Sequence, residues 1–430
     1  MSNIIIHGGN PLNGDITPSG NKNSVLPILC STILTNETVV LNNVPDLTDV
    51  NKLVEQLKSI GSKIEWDKMK CRLEINNKDI RKDLFDGDFP IGMRGSLLLF
   101  SPLLYRMKKL QMKNEIGGCS LGIREIDPHI DALKALGTKV SYGSVMKFSI
   151  QERFVGNGLW PDYMSVTATE NFINAAVLAS GRSKLVNAAS EPHVQDLCNF
   201  LNGLGAKITG IGTSVLEIDG VESLGGGEFT ITSDHHEITT MLALGAMTGG
   251  EIRVHDAIPQ HFPLIKNSFA KLGVEIEYEG ETAIVRKNQK LKIQRPFTEN
   301  MLPKIEAAPW PYFPVDLLPL MIALSVKSKG EIMFWNKVYE GGFFWIQELM
   351  KFGSEIILAD PHRVIVFGGR PLSPAVTNAP NIIRAAIALT MVALSIEGES
   401  KVNFADSIKR AHPNFIENLQ KLGAKIDWEE

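Results

Sequence analysis

Leu57-Lys-Ser-Ile-Gly61-Ser-Lys-Ile, Leu133-Lys-Ala-Leu-Gly137-Thr-Lys-Val, Leu201-Asn-Gly-Leu-Gly205-Ala-Lys-Ile, Phe269-Ala-Lys-Leu-Gly273-Val-Glu-Ile, Leu349-Met-Lys-Phe-Gly353-Ser-Glu-Ile and Leu419-Gln-Lys-Leu-Gly423-Ala-Lys-Ile are six versions of one phrase. Each reads as the tail of an amphipathic helix, a glycine where the helix needs a left-handed residue to stop, and the start of a strand. A lysine before the glycine suits the negative end of the helix dipole. The glycines lie 76, 68, 68, 80 and 70 residues apart. Such steps are too long for a solenoid turn and about right for a compact βα unit with several strands, so six similar subdomains are expected.

Upstream of these helices stand β-branched runs such as Thr38-Val-Val-Leu-Asn-Asn, Lys184-Leu-Val-Asn, Glu251-Ile-Arg-Val-His, Glu331-Ile-Met-Phe-Trp and Lys401-Val-Asn-Phe. Each unit therefore reads strand, loop, helix, glycine, strand. A second series of helices is too apolar for a surface: those beginning at Ser24, Ser96, Phe172, Thr239, Leu317 and Ala385. The simplest architecture buries these six inside three sheets per domain, an inside-out α/β barrel whose sheets face solvent. The expected domains are 22–232 and 1–21 with 233–430, the first ~20 residues lending a strand to the second half, with the active site in the cleft between them.

The 430 residues exceed what one core usually covers, which agrees with two domains. Mean hydropathy is close to zero and no apolar run approaches the roughly 20 residues that span a bilayer, so a membrane protein is excluded. Met1–Gly9 lacks a basic segment followed by an apolar one, and a cytoplasmic location is expected. A net charge of −4 with scattered Lys and Arg argues against nucleic acid as a partner. The four cysteines, Cys30, Cys71, Cys119 and Cys198, form neither a zinc module nor a disulfide framework. Cys30 and Cys198 lie in helical patterns and Cys71 in a strand-like one.

The polar loops between strand and helix carry Asp46, Cys119 with Arg124, Glu191, Gln260, Glu340 and Arg410, and pseudo-symmetry should gather equivalent loops at one end of each domain. In Ile116-Gly117-Gly118-Cys119-Ser120-Leu121-Gly122-Ile123-Arg124, three glycines let backbone approach a ligand while an arginine favours thiolate, which makes Cys119 the candidate reactive thiol. A buried, inert cysteine is the plainer alternative. Lys22 and Asn23 open the first apolar helix, an anion-binding position. Asp316 opens another, where capping is the ordinary role of an aspartate. Arg384 opens the Ala385–Leu394 run and would be costly there without an anionic partner, and Arg94 and Arg410 stand at similar places. Cations from several loops, a carboxylate and a thiol suit a doubly charged small anion and an acid/base step. His235-His236 lacks a third ligand at metal spacing and reads as hinge or surface. No metal and no cofactor is expected.

Lys22-Asn23, Gly117-Gly118-Cys119-Ser120-Leu121-Gly122-Ile123-Arg124, Asn187-Ala-Ala-Ser-Glu191-Pro192, Gly220-Val-Glu-Ser-Leu-Gly-Gly-Gly and Phe313-Pro-Val-Asp316 resemble the UDP-N-acetylglucosamine enolpyruvyl transferase family across essentially the whole chain. The resemblance implies the inside-out fold and the transfer of the enolpyruvyl group of phosphoenolpyruvate to a sugar hydroxyl, by addition and then elimination of phosphate. It implies that Cys119 moves protons at the enolpyruvyl methylene and is the target of fosfomycin. Lys22, Arg124, Arg384 and Arg410 would cradle phosphoenolpyruvate, with Arg94 on the phosphate side. Asp316 would face the acceptor hydroxyl and Asn23 would bind the acceptor sugar. Asp127 falls in the base pocket, and Ser165, Val166 and Val338 are further substrate contacts.

Several positions depart from the family pattern. Glu340-Gly341-Gly342 replaces Glu-Asn-Arg, so one arginine of the cradle is missing, a loss of roughly 1.5–3 kcal/mol if nothing compensates. Lys337 and Lys409 are the candidate compensators. Ile382 stands where an acidic residue precedes the arginine, Thr167 where a glycine approaches the diphosphate, and Glu125 where a proline lines the base pocket. Two other readings remain open here: an enolpyruvyl transferase acting on another uridine nucleotide, as in nucleoside-antibiotic pathways, and a regulatory relative that binds a nucleotide sugar with little catalysis.

Overall fold

The computed structural model describes residues 2–80, 94–113, 125–298, 300–412 and 414–429. The described residues fall into two compact units, one holding those of Met1–Ser19 and Ser233–Glu430, the other those of Gly20–Cys119 and Ile123–Thr232. Twelve α-helices follow one another among the described residues: α1 (Lys22–Ser31), α2 (Thr48–Ser59), α3 (Phe100–Met107), α4 (Asp127–Ala135), α5 (Val166–Ala176), α6 (Pro192–Gly203), α7 (His235–Thr248), α8 (Pro263–Lys271), α9 (Leu318–Lys327), α10 (Ile346–Met350), α11 (Ile383–Leu394) and α12 (Phe415–Lys421).

Odd and even helices differ as their sequences require. α9 is buried at every position from Leu318 to Val326, and α11 from Arg384 to Leu394. α2 buries only the stripe Asp49, Val50, Leu53, Val54 and Leu57. A helix apolar all round is driven to the centre, because each fully buried Leu or Ile contributes about 1.5–3 kcal/mol relative to exposure. In the unit built on Ser233–Glu430, α7, α9 and α11 pack on one another. In the other, α3 packs on α5, and α1 on the 3₁₀ turn Arg94–Leu99 that leads into α3.

Three sheets wrap each set of inner helices. Five of the six have four strands, three antiparallel and one added in parallel at an edge; the sixth shows three strands among the described residues. One face of each strand is buried and the other wet, as in Gly330–Asn336, where Ile332 and Phe334 point inward. The strand Asn3–Gly8 lies between Gly398–Asn403 and Lys425–Glu429, with Ile4 opposite both Val402 and Trp428. It fills the position that a later strand fills in the other units. The inside-out barrel expected from the repeat is therefore the fold.

The six repeat glycines all have positive φ, between 83° and 104°. Five of them, at 61, 137, 205, 273 and 423, close the helix with a glycine N–H bond and a second bond from the next residue back to the carbonyl five before it, as in Ser62 N–H to Leu57 O at 3.0 Å. At Gly353 the Ser354 hydroxyl serves that carbonyl instead, at 3.0 Å from Leu349 O. A second glycine rule was not visible in the sequence. A methyl group on Gly8, Gly220 or Gly368 would lie 2.1, 1.9 or 2.0 Å from the carbonyl oxygen of Ala393, Ala179 or Ser325. Each of these glycines ends a strand against the close of an inner helix or the turn just after it.

Cys30 and Cys198 are buried in α1 and α6, as their patterns suggest. Burial, then Glu170, pushes the Cys198 thiol up to about 12, and the same causes raise Cys30. Cys71 is not a strand residue: it takes φ 50° in the turn before the strand Arg72–Asn76. Burial and then the carboxylates Asp46 and Asp67 raise its thiol too. None of the three is poised as a thiolate. Cys119 lies outside the described residues.

Candidate active site

Several of the candidate residues open inner helices. In the Gly20–Thr232 unit, Asn21 caps α1, its side chain accepting the Asn23 backbone N–H at 2.8 Å. Lys22 is the first residue of α1, and its Nζ lies 2.6 Å from Asp49 Oδ2 of α2, with both side chains nearly buried. It is not the solvated lysine that a loop position suggests. Asp196 of α6 holds the same helix end, accepting the Ser24 hydroxyl at 2.7 Å.

α4 and α5 pack together. Asp127 starts α4 and is exposed; Ser165 caps α5, accepting Ala168 N–H at 3.4 Å, and Val166 follows it. His129 joins the two helices. The Asn171 amide donates to its Nδ1 at 2.8 Å, so its proton sits on Nε2, which donates to the Thr167 hydroxyl at 3.1 Å. Thr167, the departure at the diphosphate position, is thus held in place. Glu125, the other, accepts the Tyr163 hydroxyl at 3.5 Å. Arg94 opens the 3₁₀ turn before α3. Arg124 lies outside the described residues, as Cys119 does.

In the other unit, the starts of three inner helices meet. Asp234 caps α7: its Oδ1 accepts the His236 backbone N–H at 2.8 Å and lies 2.7 Å from the His236 ring Nδ1. His236 Nε2 lies 3.9 Å from Oδ2 of Asp316. Arg384, second residue of α11, reaches Asp234 Oδ2 at 3.7 Å and bonds His412. His412 Nδ1 stands 4.0 Å from Glu237, which accepts the Ser19 N–H and hydroxyl at 2.9 and 2.6 Å. Asp234 is fully buried, which by itself would raise its pKa; His236 first, then Arg384 and His412, hold it well below the usual carboxylate range. Burial pushes Glu237 up to about 7 against the opposing Ser19 bonds. Arg410 ends the 3₁₀ turn Ala405–Arg410, which packs on α11 and leads to His412.

Three expectations are corrected here. Asp316 is not a cap: it is the middle residue of the 3₁₀ turn Val315–Leu317, which starts after Pro314, and its side chain is 41% exposed. His235 and His236 are not surface residues: both are buried at the start of α7, just after the boundary between the units at Thr232 and Ser233. Asp234 does supply a third group, with one ligand-type atom of each residue within 4.8 Å of the others. Its oxygens, however, face a backbone N–H, a ring nitrogen and a guanidinium, and that nearby cation opposes a metal. Lys337 and Lys409, the candidate compensators for the arginine, each have partners within their own unit. Lys337 pairs with Glu306 beside the Trp335 ring, and Lys409 bonds Ser2 beside the Trp428 ring.

Gly342 could not carry an arginine in this setting, because a Cβ there would sit 2.1 Å from the Asn336 amide nitrogen. Asn336 is committed, its Oδ1 accepting the N–H groups of Val338 and Tyr339 at 2.9 and 3.0 Å. That fixes the backbone at Val338, whose side chain is exposed. Ile382, which replaces an acid, is buried just before α11, and Asp234 provides the carboxylate that Arg384 needs. Sequence reasoning missed Asp49, Asp234, Glu237 and His412. A usable signal was present for two of them: Ser233-Asp-His-His-Glu237 is a polar cluster opening a very apolar helix, as Lys22 and Arg384 do. A depression of about 440 Å³ over the Lys109, Lys139 and Lys147 strands contains none of the candidate residues.

Comparison with known proteins agrees with this architecture. The family model of EPSP synthase (3-phosphoshikimate 1-carboxyvinyltransferase) matches residues 6–419. The chain is 39% identical to the UDP-N-acetylglucosamine 1-carboxyvinyltransferase of Borrelia garinii subsp. bavariensis over 426 residues, 99% of each chain. It is 41% identical to the enzyme of that name from Bradyrhizobium diazoefficiens, covering 98% of this chain and 97% of the other. Among solved structures, the enolpyruvyl transferase NikO from Streptomyces tendae superposes with a TM-score of 0.86 at 21% identity, covering 100% of this chain and 99% of that one. EPSP synthase from Acinetobacter baumannii does so at 0.78 and 16%, covering all of both. The repeat, the inside-out fold and the full-length matches agree: the chain belongs to the enolpyruvyl transferase family described by EPSP synthase, in its UDP-N-acetylglucosamine 1-carboxyvinyltransferase branch.

Proposed function

We propose that this protein transfers the enolpyruvyl group of phosphoenolpyruvate to the 3-hydroxyl of UDP-N-acetylglucosamine, releasing phosphate, as a cytoplasmic step of peptidoglycan precursor synthesis. The observation that carries this reading is full-length identity of 39–41% to enzymes of that name, together with cations and a carboxylate at the starts of inner helices. Phosphoenolpyruvate is a compact, highly charged anion. Lys22, Arg384 and Arg410 suit it, and the partial positive charge at the helix starts adds to them. Asp316, exposed and unprotected by a cap bond, is the group to take the proton of the acceptor hydroxyl. The electron pair left on that oxygen forms the new bond to C2 of phosphoenolpyruvate, while C3 takes a proton from Cys119. Loss of that C3 proton and departure of phosphate complete the transfer. Asp127, Ser165 and Val166 would receive the nucleotide, and Asn23 and Val338 would be contacts to the sugar.

The test is phosphate release from phosphoenolpyruvate with a panel of uridine acceptors. Release with UDP-N-acetylglucosamine and not with UMP is expected. The reverse would replace the acceptor and leave the chemistry intact, and no release with any acceptor would end the enzymatic reading.

A further inference from the structure

His236 has a position that the reaction as written does not use. Its ring is buried at the start of α7 with Nδ1 2.7 Å from a carboxylate oxygen of Asp234 and Nε2 3.9 Å from a carboxylate oxygen of Asp316. Asp234 is fully buried and faces Arg384 at 3.7 Å, so it remains an anion and its near oxygen accepts the ring proton. The tautomer follows: Nδ1 carries hydrogen, and Nε2 presents its lone pair toward Asp316. This is the arrangement in which one carboxylate orients an imidazole toward a second group that handles the substrate. The gap of 3.9 Å exceeds a hydrogen bond, and such contacts commonly shorten when substrate binds.

We infer that His236, oriented by Asp234, is a positioning residue that relieves Asp316 of the proton taken from the acceptor hydroxyl. The inference rests on the proposed function for Asp316. The acceptor O–H bond breaks as the proton bonds to Asp316, and the electron pair left behind forms the C–O bond. The proton then passes from the Asp316 carboxyl to His236 Nε2, giving an imidazolium between two carboxylates, and in the elimination half of the cycle it goes back through Asp316 to the departing phosphate, which leaves both groups unprotonated for the next turnover. Asp234 from its own helix start and Asp316 from the 3₁₀ turn before α9 favour that state. The Arg384 guanidinium beyond Asp234 opposes it, with His412 and Glu237 behind Arg384, and the His235 ring stands beside it with centroids 4.0 Å apart. A relay of this kind lets Asp316 start each cycle as a base although it is open to solvent.

The test uses the full-length protein with His236→Gln, which keeps an amide near Nε2 without titrating, and His236→Asn, which keeps only the donor toward Asp234. Expected are kcat losses on the order of 10²-fold in both, KM for each substrate within about threefold of wild type, and an acid limb of the kcat profile moved to lower pH, since only Asp316 then remains to be protonated. A kcat within about twofold of wild type and an unchanged pH profile in either folded variant overturns the inference. A second measurement needs neither turnover nor a stable His236 variant. In ¹⁵N-histidine-labelled protein the His236 ring proton should sit on Nδ1, and Asp316→Asn should move the Nε2 resonance more than that of Nδ1. A proton on Nε2, or no response to Asp316→Asn, overturns the inference even if the protein transfers no enolpyruvyl group. Wild-type inactivity combined with the expected spectra sinks the enzymatic reading alone.

Discussion

Lys22 and Arg384 do the same structural thing in different units, and their surroundings are unlike. Each puts a cation at the start of an inner helix, where the helix dipole repels it. Each is therefore matched by a buried carboxylate, Asp49 for Lys22 and Asp234 for Arg384. Asp49 comes from the outer helix α2, whereas Asp234 caps the neighbouring inner helix and also holds His236. In the second case the cation joins a network that reaches Asp316 on one side and, through His412 and Glu237, Ser19 on the other. Lys22 is held by one close carboxylate, whereas Arg384 stands in a network that includes Glu237, pushed up to about 7 by burial. Similar folds thus give the cations at their inner-helix starts unlike surroundings.

The largest expected effect bears on the part of the comparison outside the described residues. If the Gly20–Thr232 unit supplies a proton donor as well as a grip, Cys119→Ala lowers turnover by up to ~10⁴-fold. Cys119→Asp, still able to donate, should keep some turnover and resist fosfomycin. Full activity in the alanine variant removes the thiol from the mechanism.

Next comes the contrast itself. Arg384→Met leaves Asp234 charged and buried and should cost about 3–5 kcal/mol in denaturant unfolding, as well as raising KM for phosphoenolpyruvate. Lys22→Met should raise the same KM at a cost of about 1–3 kcal/mol, because Asp49 keeps a small exposed surface. Equal losses of stability would show that the two surroundings do not differ as described.

Glu237 then separates the units by pH. Its folded pKa of about 7 lies above the ordinary 4.5, so the folded state binds the extra proton between those values. Stability should rise as pH falls from 8 to 5, by up to about 3 kcal/mol from this group, and be lost again as pH rises through 7. Glu237→Gln should flatten that window. An unchanged slope would mean that Glu237 does not titrate there.

The smaller effects concern what the units share and what they do not use. Gly220→Ala and Gly368→Ala press a methyl group on a carbonyl in different units, and each should cost about 1–3 kcal/mol or more in thermal unfolding with similar size. Asp46→Ala removes an exposed pair with Lys68 and should change stability by less than about 1 kcal/mol and turnover not at all.

The architecture was legible because its rules are local. A glycine must follow a helix that stops in a left-handed turn, and a helix apolar on all faces must be inside; both statements need about ten consecutive residues. The strand-end glycines 8, 220 and 368 were not legible, because what excludes a side chain there belongs to a helix end distant in the sequence. The site divided in the same way. Lys22, Asp316 and Arg384 stand out by opening apolar helices, but the partners that define their chemistry come from Asp49, His236, Asp234 and His412. His235-His236 looked superficial because the pair is polar, although the very apolar helix it opens was a signal of burial. Asp316 looked like a cap because it opens an apolar helical run, but the 3₁₀ turn there starts at Val315, two residues earlier than a cap at 316 requires.

The strand Asn3–Gly8 has its ladder partners at Gly398–Asn403 and Lys425–Glu429. A ribosome adds roughly 5–20 residues each second, so these six residues, with Ile4, Ile5 and Ile6 among them, wait on the order of 20–80 s for the first partner to be made. Throughout that time the Gly20–Thr232 unit can be complete, since its described strands pair only with one another. Biosynthesis thus runs in two stages, with an inserted unit finished early and an apolar strand in need of shelter until the last sheet closes over it.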